Sequence, residues 1–214
     1  TMLSLADKVH FGNGIKIGEV DATSSIVWAR LTKTPERRAD GVAFQKDDDK
    51  VPAGRTLGDM TDSLIGAKGA VRVRYHGKDV PESTTPWQDD DPQRDFCTQI
   101  RLTGLKPATT YVLTVEGRPS GEETIATCKG EFHTAPASTA PATLRFVVGT
   151  GTDFLRRDDD ARGHLIYPSM ARLNPDFFIH TGDIEYYDRP SPLAKNQELA
   201  RFKWNRFFAQ ANQR

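Results

Sequence analysis

The chain contains 214 residues, of which 27% are charged and 37% are hydrophobic. Lysine plus arginine and aspartate plus glutamate each number 29, so the formal net charge is 0 and no global field attracts nucleic acid or an anionic membrane. No segment approaches the roughly 20 apolar residues that span a bilayer, and no signal peptide is visible at the N-terminus. The length exceeds the usual domain size of about 100 to 150 residues and predicts more than one domain.

Residues 1–135 have the pattern of an antiparallel β-sandwich. Their strand-like segments alternate apolar and polar residues, which is typical of strands with one buried face. Turn residues separate these segments and no long helical stretch intervenes, so we expect a sandwich of the fibronectin type III or immunoglobulin-like class. The predicted strands include residues 15–20, 25–31, 71–75 and 111–116.

Two aromatic residues of the predicted sandwich have expected positions. The segment 102–111 resembles the fibronectin type III loop that ends in a tyrosine-corner residue, whose hydroxyl group bonds to the backbone upstream. Tyr111 would be that residue. Trp28 shares its strand phase with Ile26, and we expect its side chain to lie in the core.

The segments 34–70 and 77–95 are rich in Pro, Gly, Asp and Lys, and we expect them to be loops between strands. Each contains an acidic cluster, which is typical of a solvated loop but could also bind calcium. These clusters are residues 47–49 and 89–91. Cys97 and Cys128 both fall on predicted strands, where a disulfide and two buried thiols are equally compatible with the pattern.

A run rich in Pro and Ala, residues 136–142, is the predicted linker, because small residues and prolines cannot build a core. The last part, residues 143–214, opens with a short apolar strand at 144–148 and has a second buried strand at 174–180. Between them, residues 163–173 carry apolar side chains at helical spacing. The order of strand, helix and strand predicts a parallel βαβ unit, and hence a β plus α/β chain of two domains.

Each of these two strands is followed by glycine and aspartate, which places Asp153 after the first and Asp183 after the second. Because a right-handed crossover brings the carboxyl ends of parallel strands to one edge, we expect the two carboxylates to lie close together. Such a pair suits a hard or borderline divalent cation. Taken singly, either aspartate could instead be a turn residue or a helix N-cap.

Two histidines lie near this predicted site. His180 and Asp183 would point to opposite faces of a strand, so a hydrogen-bonded core histidine is favoured over a metal ligand at position 180. His164 could approach a phosphate as a donor. After Tyr187 the spacing predicts one amphipathic helix, whose apolar face includes Leu193, Leu199, Phe202, Trp204 and Phe207.

The stretch 145–187 resembles the opening of the metallophosphatase domain of the alkaline phosphatase D family, within the calcineurin-like superfamily. In that family the first strand ends in Cys-x-Asp and the second in Gly-Asp-x-x-Tyr, which correspond here to residues 151–153 and 182–186. A β-sandwich similar to residues 1–135 precedes the catalytic part in this family. The resemblance implies as metal ligands Asp153 on one metal, Asp183 bridging two metals, and Tyr186 as a phenolate on iron.

The sequence departs from the family at two points. Gly151 stands where the family has a metal-binding cysteine, so the implied pair of iron and calcium loses its soft ligand, and the oxygen donors lean toward calcium, magnesium or manganese. The Asn-His and His-x-His motifs that complete the family's site do not occur after Tyr187. We therefore assign no catalytic residue beyond the metal ligands, and we expect the front part of a longer, apparently truncated enzyme that is inactive alone.

The resemblance implies a metal-dependent phosphomonoesterase or phosphodiesterase, which acts on a small-molecule or polymer phosphate ester in the periplasm or outside the cell. Two bridged cations would polarise the phosphoryl group, activate water and stabilise the leaving oxygen. A different function stays open at this point. The chain could be a non-catalytic extracellular binding or adhesion module, in which the sandwich carries a degenerate α/β appendage.

Overall fold

The computed structural model describes residues 8–121 and 125–214. Residues 1–7, on which the prediction about a signal peptide falls, lie outside the described residues. The chain divides into two compact units. The first comprises Thr1–Pro35 and Gly66–Thr143, and the second comprises Glu36–Ile65 and Leu144–Arg214.

The first unit consists of antiparallel strands. In chain order they are β1 (Ile15–Gly18), β2 (Ser24–Arg30), β3 (Gly69–Gly77), β4 (Val80–Thr84), β5 (Gln88–Asp89), β6 (Cys97–Thr103), β7 (Thr110–Pro119) and β8 (Ala126–His133). One sheet has the order β1-β2-β6, and the other has the order β4-β3-β7-β8 with β5 paired to β3. Both sheets contribute to one hydrophobic core, whose buried side chains include Val27, Ala29, Val71, Val73, Ile100, Leu102, Leu113, Val115 and Phe132. The mostly antiparallel β architecture is as predicted.

Tyr111 is the tyrosine-corner residue that the sequence predicts. Its side chain is 1% exposed, and its hydroxyl oxygen accepts a hydrogen bond from the backbone N–H of Lys106 at 2.8 Å. The ring stacks on Phe132 of β8, with centroids 5.5 Å apart. One side chain thus ties the loop before β7 to the core.

The prediction for Trp28 was wrong. Val27 and Ala29 are the buried residues of this part of β2, at 1% exposure each, whereas Trp28 is half-buried on the opposite face. Val27 pairs with Ile100 of β6, which also faces the core, so cross-strand pairing sets the buried phase. The segment has apolar residues in both phases, and alternation alone therefore could not select one.

The two cysteines lie in different sheets, Cys97 at the start of β6 and Cys128 in β8, and both are half-buried thiols rather than a disulfide. Burial raises the pKa of the Cys128 thiol. Of the two interpretations of the cysteine pattern, the structure has the one without a disulfide, although the thiols are half-buried rather than buried.

The second unit contains the predicted strand, helix and strand. They are β9 (Phe146–Gly149), α1 (Ile166–Ala171) and β10 (Phe177–His180), and a longer helix follows, α2 (Gln197–Phe208). The strands β9 and β10 pair in parallel, with Gly149 opposite His180. Their apolar side chains were expected to be buried, yet Phe146, Val148 and Ile179 are 51%, 55% and 40% exposed. A two-stranded sheet with one short helix is too small to cover both of its faces.

Residues 36–65, which the sequence predicts as part of a loop between sandwich strands, belong to the second unit. Their buried side chains Phe44 and Met60 form a core with Leu199 and Phe202 of α2. The predicted domain limits of 1–135, 136–142 and 143–214 stay a prediction. We refer to residues 36–65, which lie within the first of these ranges but belong to the second unit, as the excursion. None of the described helices is long and apolar enough to cross a membrane.

Candidate metal site

The loops that follow β9 and β10 are joined through their backbones. The N–H of Gly151 donates to the carbonyl of Gly182 at 3.2 Å, and the N–H of Thr152 donates to the carbonyl of Asp183 at 2.8 Å. The Thr152 hydroxyl donates to the carbonyl of Ile184 at 3.1 Å. The parallel pairing of the strands therefore continues into the loops and brings the two Asp-containing motifs side by side.

The loop backbone bends through the left-handed region at three positions. Gly151 and Gly182 have φ values of 68° and 128°, which glycine adopts without steric cost. Asp183 has φ 56°, which is uncommon for a residue with a side chain, although Asp tolerates it better than most. The surrounding hydrogen bonds must therefore hold Asp183 in its conformation.

Asp153 lies at the end of the first loop with its side chain 11% exposed. Its Oδ1 accepts the backbone N–H of Leu155 at 2.9 Å and so caps the 3₁₀ turn Phe154–Arg156. Its Oδ2 lies 3.8 Å from the Nε atoms of Arg156 and Arg189. The capping role that the sequence left open is thus real, and it leaves Oδ2 directed at positive charge.

The Tyr186 phenol lies close enough to the carboxylate of Asp183 for that carboxylate to affect its pKa. Partial desolvation, and then the negative charge of Asp183, raise the pKa of the Tyr186 phenol, and Asp153 adds to this effect. The guanidinium of Arg189 lies 5.3 Å from the centre of the Tyr186 ring. A phenolate at this position would therefore need a nearby cation to offset the two carboxylates.

His164 is 7% exposed, and both of its ring nitrogens are engaged. Nε2 donates to the carbonyl of Asp153 at 3.0 Å, and Nδ1 accepts from the side-chain amide of Gln213 at 2.7 Å. The predicted role as a phosphate donor does not fit this arrangement, because neither nitrogen is left to meet a phosphate. His164 instead fixes the backbone that carries Asp153.

His180 is the last residue of β10 and is half-buried. Its Nδ1 accepts the backbone N–H of Gly182 at 3.2 Å, and its Nε2 lies 3.5 Å from the hydroxyl of Thr152. Burial lowers the pKa of the imidazole, and Asp183 partly opposes that effect. These contacts describe a hydrogen-bonded histidine that supports the Gly-Asp turn, the interpretation favoured at this position.

Asp153, Asp183 and Tyr186 together offer oxygen donors alone, which match the preference of a hard cation. Within residues 8–121 and 125–214, no three His, Cys, Asp or Glu side chains come together as a potential metal site. The chemistry of the three side chains is that of hard-cation donors, and further donors would be needed to complete a ligand shell.

Sequence reasoning missed a buried charged cluster beside the motif. The side chains of Glu185, Lys203 and Arg206 are 1%, 0% and 3% exposed, and both cations lie 3.9 Å from the Glu185 carboxylate. Burial raises the pKa of Glu185 and lowers the pKa of Lys203 to about 8. A signal was present, since Lys203 and Arg206 fall four and seven residues after Leu199, on the apolar face of α2.

Comparison with known proteins gives one family. A family profile described as the PhoD-like phosphatase N-terminal domain matches residues 4–136. A solved structure of PhoD is 18% identical and covers all of this chain, with a TM-score of 0.65, while this chain spans 37% of that protein. The third fibronectin III domain of human KIAA0343 protein is 17% identical over 67% of this chain and 96% of its own, with a TM-score of 0.37. A search of curated proteins gave no match.

Proposed function

The chain belongs to the PhoD-like phosphatase family, whose N-terminal domain profile matches more than half of it, and we propose that it is part of a metal-dependent phosphoric ester hydrolase. The observation that supports this proposal is the meeting of the two strand-end loops, which carry Asp153 and the Asp183–Tyr186 motif. Open α/β folds bind their ligands at the carboxyl ends of the parallel strands, which is where these carboxylates lie.

Three side chains would hold the metal ions. Asp183 would bridge two of them, Asp153 would bind one through its Oδ2, and Tyr186 would bind as a phenolate after its phenol loses a proton. When bound, metal ions polarise a phosphoryl group and lower the pKa of water. Gly151 stands where the family has a cysteine, so the donor set contains no thiolate. We therefore propose that the site binds calcium, magnesium or manganese rather than the family's iron.

Arg189 would help to bind the substrate. Its side chain is 45% exposed and lies beside both Asp153 and the Tyr186 ring. A guanidinium can donate two parallel hydrogen bonds to a phosphate, and an exposed one can leave a carboxylate 3.8 Å away with little loss. We propose phosphate monoesters or diesters as the substrate class, and a location in the periplasm or outside the cell by resemblance to the family.

Binding of Tb³⁺ tests the metal site on the 214-residue chain itself. Tb³⁺ is a hard cation that oxygen donors bind, and nearby aromatic rings sensitise its luminescence. We expect Asp183→Asn and Tyr186→Phe to weaken Tb³⁺ affinity by at least about tenfold. The matched control is Asp79→Asn, which removes an exposed carboxylate from a turn of the first unit and should leave the affinity unchanged.

Hydrolysis of p-nitrophenyl phosphate and its bis-ester, by protein expressed from the full reading frame, tests the activity. Loss of both activities in Asp183→Asn, with unchanged folding, would support the assignment. Near-normal turnover in that variant would refute it. Wild-type protein that neither binds metal nor hydrolyses either ester would instead favour the binding or adhesion module.

A further inference from the structure

A buried lysine of helix α2, Lys203, donates hydrogen bonds to the loop that follows β10. We propose that Lys203 is a positioning residue of the metal site, which sets the backbone between Asp183 and Arg189 and so the placement of the Asp183 and Tyr186 side chains. This inference rests on the proposed function, because it concerns the same site. The motif pattern contains no lysine, and nothing in the sequence pairs position 203 with the loop.

The contacts of Lys203 are directed at the loop backbone. Its Nζ donates to the carbonyl of Arg189 at 2.9 Å and to the carbonyl of Tyr186. Both acceptors lie within or just after the Gly-Asp-x-x-Tyr motif. One ammonium group therefore orients two peptide groups, that of Tyr186 before residues 187 and 188 and that of Arg189 after them.

The rest of the charged cluster reinforces this arrangement. Arg206, one turn further along α2, donates from Nη1 to the carbonyl of Ser191 at 2.8 Å. Glu185 lies 3.9 Å from both cations, too far for a hydrogen bond, and its Oε2 has no partner among the described residues. The cations thus direct hydrogen bonds to loop carbonyls, while Glu185 balances their charge from the loop side.

The loop that follows β9 also contacts the Gly-Asp-x-x-Tyr motif, through Thr152. Thr152 bonds to the carbonyls of Asp183 and Ile184, as described above. Thr152 therefore bonds to backbone carbonyls of the motif before Tyr186, and Lys203 bonds to the carbonyl of Tyr186 and to one that follows it. Since Asp183 has an uncommon positive φ, a loop held on one side only would have freedom to relax it.

The test compares four variants by hydrogen exchange and by Tb³⁺ binding. Lys203→Met removes the donors and keeps a long side chain, and Lys203→Arg keeps a cationic donor. Leu199→Ala weakens the packing of α2 without touching the loop contacts. Glu198→Gln changes an exposed charge on the same helix.

In metal-free Lys203→Met, we expect the amides of residues 182–189 to exchange about 10-fold to 100-fold faster, with those of α2 changed much less. Leu199→Ala should instead accelerate the loop and α2 together, and Glu198→Gln should change neither. Tb³⁺ affinity should fall about 10-fold to 100-fold in Lys203→Met, recover at least in part in Lys203→Arg, and stay unchanged in Leu199→Ala below its melting temperature.

Unchanged loop exchange in Lys203→Met would overturn the proposal, whether or not the wild type binds metal. A faster loop with wild-type Tb³⁺ affinity would also overturn it, because Lys203 would then order the loop without placing the ligands. Absence of Tb³⁺ binding in the wild type, with a faster loop in the variant, would count against the proposed metal site while supporting the loop contact.

Discussion

Because residues 36–65 belong to the second unit, a substitution within the part of the sequence that was predicted as sandwich should weaken the unit that carries the Gly-Asp-x-x-Tyr motif. Met60 is fully buried and packs with Leu199 and Phe202 of α2. Met60→Ala removes roughly three heavy atoms, worth about 2 kcal/mol of transfer free energy, and leaves a cavity that brings the loss to about 3 kcal/mol. We therefore expect the most protected α2 amides to exchange roughly 100-fold faster.

Hydrogen exchange read by mass spectrometry measures this effect peptide by peptide. The matched control is Val73→Ala, a fully buried residue of β3, which should accelerate exchange in β7, its neighbour in the sheet. If Met60→Ala left the exchange of α2 unchanged and accelerated only β7, the packing of residues 36–65 on α2 would be refuted.

Two further predictions concern pH and metal choice. Burial raises the pKa of the Asp90 carboxyl group to about 6. The folded state therefore binds the carboxyl proton more tightly than the unfolded chain does. As a result, the free energy of unfolding falls as pH rises from about 4 through 6. Asp90→Asn should remove about 1 kcal/mol of that dependence, which melting temperatures between pH 4 and 8 would check, and an unaltered pH profile would contradict it. A Cβ at Gly151 meets no atom within 4 Å, but φ there is +68°, so Gly151→Cys should cost about 1 kcal/mol of stability and add a thiolate. Thiolate-to-Co²⁺ charge-transfer absorption, absent from Gly151→Ser, would report that ligand, and its absence from Gly151→Cys would show that position 151 does not face the metal.

The parallel pair and its strand-end loops were predictable because their signals are local. Strand, helix and strand follow one another between Phe146 and His180, and the handedness of the crossover leaves one arrangement of the two loops. Tyr111 was predictable for the same reason, since its partner Lys106 lies five residues upstream. The directions of the Asp153 and Asp183 side chains were beyond that reasoning, because they depend on hydrogen bonds between the two loops.

The features that sequence reasoning missed depend on partners distant in the chain. Residues 36–65 show no regular apolar spacing, and their few apolar side chains find a core only on α2. The spacing places Lys203 on the apolar face of α2 but does not show that it is buried there, because burial of a lysine becomes favourable only when acceptors such as the Arg189 carbonyl surround it. Neither acceptor nor core partner is visible from the helix alone.

These contacts connect the excursion to the chemistry of the candidate site. The backbone carbonyl of Asp48 accepts the backbone N–H of Leu193 at 2.8 Å, and Phe44 packs edge-on against Phe202 at a centroid distance of 5.3 Å. Residues 36–65 therefore support both the segment that leads into α2 and α2 itself. Helix α2 in turn presents Lys203 to the loop carbonyls. A short parallel pair with exposed faces has little packing of its own with which to hold Asp183 at positive φ. The positive φ of Asp183 must therefore be held by contacts from neighbouring segments, and the Lys203 hydrogen bonds from α2 are among them.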